Sequence, residues 1–185
     1  MNPMIRLIEK IKAHVTPASN GKEKSEGDVA SARPINERDI AKVELKFGFK
    51  LPLLLRTVYL EVGNGGFGPS EGFLPIRISK AMKGMDLVAV YRERSRHPGW
   101  PPHLLPIVYS GCDVYFCVDC DHPKNRVIVF DGDLGGLDES CVSLTRRKWP
   151  YPDSPLGVCF QTRANSLKEF LEMWLTDEAQ IYRWD

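Results

Sequence analysis

An α+β fold, a single domain whose antiparallel β-sheet is flanked by helices, is predicted by three features of the sequence. Helical patterns occupy residues 37 to 62, short β-type runs follow one another from Leu104 to Phe130, and an amphipathic pattern closes the fold over residues 166 to 175. Runs of helices followed by runs of strands build segregated layers rather than βαβ units. A chain of 185 residues, 43% of them hydrophobic, is long enough to bury one substantial core.

Ile5, Ile8, Ile11 and Val15 recur at helical spacing, so residues 4 to 15 read as a short amphipathic helix. Arg6, Lys10 and Lys12 would also suit a membrane surface, but the segment is short and lacks large aromatics, so packing on the domain is preferred. Residues 16 to 33 are rich in Ser, Gly, Lys and Glu and offer almost nothing to bury, the composition of a flexible linker. The expected division is therefore an N-terminal helix and linker over 1–33 and an α+β domain over 34–185.

Asn36 is a suitable N-cap with Asp39 three residues on, and Ile35 and Ile40 occupy the hydrophobic-staple positions around it. The helix that follows has Ile40, Val43 and Phe47 on its apolar face. Gly48 ends it, and Phe49 is free to fold back on the last turn. Pro52 suits the first position of a second helix, whose apolar residues from Leu53 to Val62 are too dense for a solvated surface. Gly63 is placed for a left-handed cap, and Asn64-Gly65 signals a sharp reversal.

Gly72 to Ile78 reads as a strand, with Pro75 suggesting an edge. Leu87, Val88, Val90 and Tyr91 fit either a strand or a helix; the charged continuation Arg92 to Arg96 is better tolerated on a helix. After a proline-rich loop carrying Trp100, the runs Leu104–Tyr109, Asp113–Asp119 and Arg126–Phe130 form an antiparallel meander, and Val142 to Leu144 would add a short last strand. Arg146 to Gly157 is a proline-interrupted loop. In the closing helix Leu167, Phe170, Leu171, Trp174 and Leu175 share one face, with Asn165 or Ser166 as cap and Glu169 in reach.

A formal net charge of +1 gives no global attraction to polyanions, so charged recognition has to be local. Five cysteines and a charged N-terminus predict a reduced, cytosolic protein, and no apolar run approaches the ~20 residues that span a bilayer.

Several residue clusters carry candidate chemistry. Gly63 to Gly68 spells GxGxxG, but the dinucleotide fingerprint follows a strand and opens a helix, and here the order is reversed. Cys112, Cys117, Cys120 and His122 are potential zinc ligands; on a strand Cys117 and Cys120 would project to opposite faces, which favours free thiols. The same divergence argues against Cys117 or Cys120 acting as a nucleophile with His122 and Asp119. Asp131 to Gly136 begins like a calcium loop, yet Val142 stands where a bidentate Glu belongs. Arg146-Arg147-Lys148-Trp149 with Tyr151 could grip phosphates and stack bases, but it is a short run in a nearly neutral protein, and no nucleic-acid partner is expected.

The run Leu51 to Leu60 followed by Gly63-Asn64-Gly65-Gly66 resembles the helix-then-NGG signature of the SUKH superfamily, which includes the fungal Smi/Knr cell-wall regulators and many bacterial immunity proteins. Phe67 to Ile76, the central strands and Ser166 to Leu171 are similar to its later segments, so the resemblance covers about residues 35 to 175. It implies an α+β domain with an antiparallel sheet, flanking helices and a non-enzymatic role; no cofactor and no membrane partner are expected. In bacteria it implies binding to a polymorphic-toxin domain of nuclease or deaminase class; the alternatives are a scaffold or regulatory module for an endogenous protein and, further off, a zinc- or cysteine-dependent enzyme. Under this reading Gly63, Asn64, Gly65 and Gly66 shape the architecture. Trp100, Trp149 and Tyr151, with Arg146 and Arg147, are the expected partner contacts, unless the aromatics cover the local core instead.

Overall fold

A computed structural model describes residues 2–15, 33–76, 85–97, 99–134 and 159–176. In chain order it contains α1 (Pro3–Val15), α2 (Glu37–Phe47), α3 (Leu53–Glu61), α4 (Leu87–Arg94), β1 (Leu104–Tyr109), β2 (Val114–Asp119), β3 (Val127–Asp131), β4 (Phe160–Ala164) and α5 (Leu167–Thr176). The strands form one antiparallel sheet in the order β1-β2-β3-β4, an α+β meander with helices around it.

Local chemistry sets the ends of these helices. The Asn36 side chain accepts from the Asp39 amide, and Gly48 closes α2 in the left-handed region, with Phe49 stacked on Phe47 at 5.5 Å between ring centres. Asp86 caps α4 by accepting from Val88 and Ala89. Ser166 Oγ accepts from the Glu169 amide while the Glu169 carboxylate accepts from the Asn165 amide, so donors at the start of α5 are satisfied reciprocally.

Both faces of the sheet are covered, which explains why β1, β2 and β3 are almost continuously apolar and buried instead of alternating. Tyr115, Phe130 and Phe160 are cross-strand neighbours in one row, and Trp100 packs edge-on to Phe130 (5.1 Å) and Phe160 (5.7 Å). On the opposite face Phe116 meets Phe170 of α5 at 5.2 Å. Helix α1 contacts α3 and α5, inserting Leu7, Ile8 and Ile11.

Three expectations need correction, and one strand was not expected. The stripe of α1 is Leu7, Ile8 and Ile11, whereas Ile5 is 49% exposed, because the helix is rotated to meet two helices at once. Gly63 is not the left-handed residue of the turn; Gly65 and Gly66 are, since the chain runs on through Val62 before it reverses. Over its described part, residues 72–76, the segment expected as a strand makes one isolated bridge, Phe73 to Val108: Pro75 has no amide to donate, and the Ile76 amide is taken by the Asn64 side chain. Finally, β4 lies at Phe160–Ala164, where the sequence shows no clean alternation, while the expected strand at 142–144 falls outside the described residues.

Candidate functional site

The glycine turn after α3 is a structural corner. The Asn64 side chain is buried and its Oδ1 accepts from Ile76 at 3.0 Å, the Gly66 amide donates to Phe73 O at 2.9 Å, and the Phe73 amide donates to Phe67 O at 2.7 Å. A Cβ on Gly65 would stand 2.5 Å from Phe73 O, inside van der Waals contact. The Gly63 and Gly66 amides are thus committed to the chain itself, and the turn follows the C-terminus of α3 instead of opening a helix as a phosphate site requires.

The cysteine and histidine candidates do not converge. Cys112 is exposed on the β1–β2 turn, Cys117 is buried and Cys120 is half-buried; all three are free thiols. Cys117 and Cys120 each donate to a carbonyl of their own chain segment, Tyr115 O and Val118 O, both at 3.8 Å. Burial pushes the Cys117 thiol well up, and burial together with Asp119 and Asp121 does the same to Cys120, the opposite of what a nucleophile or a metal-bound thiolate needs. His122 uses Nδ1 to accept the Lys124 amide at 3.3 Å. Among the described residues no group of three His, Cys, Asp or Glu side chains is placed to hold a metal ion. Cys159, in contrast to the reduced set expected, is disulfide-bonded.

The buried charges are likewise engaged. Asp119 accepts from Arg126 Nε at 3.1 Å and from the amides of Asp121 and His122, which locks the connection between β2 and β3. Arg94 pairs with Asp113 and lies over the Tyr115 and Phe130 rings at 5.0 and 5.2 Å. Asp131, first residue of the calcium-like run, accepts from the Asp133 amide at 3.0 Å and enters a short 3₁₀ turn. Glu44 accepts from Lys50 Nζ (2.7 Å), the Leu51 amide (3.1 Å) and an Arg56 guanidinium nitrogen (2.9 Å). Burial would raise this carboxyl, but those three donors outweigh it and hold it below the usual carboxylate range.

Of the expected partner contacts, Arg146, Arg147, Trp149 and Tyr151 lie outside the described residues. Trp100 is not the exposed anchor expected: it is 6% accessible, and its Nε1 donates to Leu104 O at 2.9 Å. The indole packs edge-on against Phe130 and Phe160 and covers the aromatic row of the sheet.

The exposed apolar side chains lie elsewhere. Leu45 on α2 is 83% exposed and Leu53 at the start of α3 is 66% exposed. Leu45 lines a shallow depression of about 250 Å³ with Glu44, Gly48, Phe49 and Lys50. The stripe Ile40, Val43, Phe47 leaves Leu45 out; a leucine between cations on the far side of an amphipathic helix was the available signal in the sequence. Among the described residues no helix is long and apolar enough to cross a membrane.

The family described as SMI1 / KNR4 (SUKH-1) matches this chain over residues 34–173. Comparison with curated proteins finds no match.

Proposed function

The chain belongs to the SMI1/KNR4 family (SUKH-1), and from that premise we propose that it is a non-enzymatic protein-binding domain, an immunity protein that neutralises a polymorphic-toxin effector by occluding it. The family match over residues 34–173 is the observation that carries the reading. The geometry agrees with it. Buried Glu44, Asp119 and Arg126 are spent on internal pairs, and burial raises the Cys117 and Cys120 thiols, while large apolar side chains remain on the surface.

Sequencing the gene's upstream neighbour for a toxin, and co-expression with the toxin found there, test the proposal. The expected result is restored growth together with a stable complex on gel filtration. A toxin that still kills, with no complex formed, overturns it. The family's fungal Smi/Knr namesakes motivate a second reading, a scaffold for an endogenous protein; no neighbouring toxin gene and a stoichiometric complex with a resident protein would favour that one.

A further inference from the structure

We propose that the exposed face of α2, with the depression at its C-terminal end, docks an acidic protein partner that seats an apolar side chain against Leu45. The proposal rests on the protein-binding reading above and adds to it the face used and the chemistry of the partner.

Arg38, Lys42, Leu45 and Lys46 are separated by helical steps that put them on one side of α2, and all of them are exposed. A single exposed leucine is ordinary on a protein surface. This one differs in its setting, because it forms the wall of a concave site whose other apolar lining is Phe49 and whose rim carries Lys50. The cations are not cancelled by their neighbours. Arg38 and Lys46 have no ion-pair partner among the described residues, and Lys42 reaches Asp39 only at 4.0 Å. Glu44 is buried beneath, shared between Lys50 and Arg56, and Glu37 is occupied by Arg56. In a chain of net charge +1, the helix therefore presents a local positive field around an apolar centre.

A nucleic acid would use the cations but not the aliphatic centre. Single strands are gripped by stacking on open aromatic faces, and here Phe49 is already stacked on Phe47 and set edge-on to Tyr91. An acidic protein surface with a protruding apolar residue uses both halves of the site.

The test titrates the full-length chain at low salt with a synthetic twelve-residue peptide rich in Asp and Glu around a central Leu-Phe pair, followed by amide NMR shifts. Two controls are run: the same peptide with Ala-Ala at its centre, and oligothymidylate. Shifts should concentrate on residues 38 to 50. Leu45→Ala and the double change Lys42→Glu with Lys46→Glu should each weaken binding by about tenfold, the usual reach of an anchor or a charge pair. Shifts that map elsewhere, equal binding of the Ala-Ala peptide, or tighter binding of oligothymidylate to α2 would overturn the proposal. If the upstream toxin binds both variants as tightly as the native chain, the face is wrong and the immunity reading stands. If no toxin complex forms although the peptide binds α2 as expected, the immunity reading fails and the docking surface stands.

Discussion

At the scale of single residues, two left-handed glycines predict opposite degrees of tolerance. Gly65 has φ +99°, and an added Cβ would meet Phe73 O at 2.5 Å and Pro75 N at 2.9 Å. Gly48 has a similar φ, +79°, but nothing within 4 Å. Gly48→Ala should therefore cost only about 1 kcal/mol, the conformational term. Gly65→Ala adds a backbone collision and should cost on the order of 3 kcal/mol or more, or prevent folding. Urea denaturation of the two variants checks this, and similar losses for both would show that the corner after α3 can relax. Asn64-Gly65 was legible as a turn from the sequence alone because turn chemistry is local. Which glycine takes the left-handed conformation was not, since that depends on where Phe73 and Pro75 arrive from the other side.

At the scale of elements, α1 is the informative case, because it lies before the family match yet contributes to the core. Ile8 and Ile11 are 1% and 0% exposed against α3 and α5, and Lys12 reaches across to Glu61 at 2.9 Å. Ile11→Ala should cost about 2–5 kcal/mol, as for other fully buried large-to-small changes, while Ile5→Ala on the same helix should stay within about 0.5 kcal/mol. Chemical denaturation monitored by circular dichroism compares them; a neutral Ile11→Ala would mean that α1 is an appendage of the fold. Helical periodicity was enough to identify α1, α2 and α5, since their stripes are written within one segment, whereas α4 was read as a helix from its charged continuation Arg92 to Arg96. Strand β4 was not legible in this way. Gln161 and Thr162 are exposed at the sheet edge and only Phe160 and Ala164 are buried, so its identity comes from pairing with β3.

At the scale of the whole molecule, the corner between α2 and α3 ties stability to pH. The Glu44 carboxyl is held below its ordinary value of 4.5 in the folded chain, burial being outweighed by Lys50, the Leu51 amide and Arg56. A depressed folded value means that the stabilisation is complete above the unfolded value and is lost as pH falls through the folded one. The native chain should accordingly lose stability on acidification below about pH 4.5. Glu44→Gln should be less stable at neutral pH by about 1–3 kcal/mol, the worth of hydrogen bonds to a charge, and should lose less on acidification. Thermal melts from pH 7 to pH 3 measure both slopes; parallel curves would remove Glu44 as the source.

The sequence by itself determined the α+β class, the caps of α2 and α5, the meander of β1 to β3 and the family, because each depends on periodicity, turn chemistry or a short motif read along the chain. Only the tertiary structure decided that Trp100 lies inside and that Leu45 stands exposed over a depression among cations. Those properties are set by which surfaces meet. An aromatic in a loop and a leucine on a helix carry no mark of being covered until the sheet and the neighbouring helix are in place.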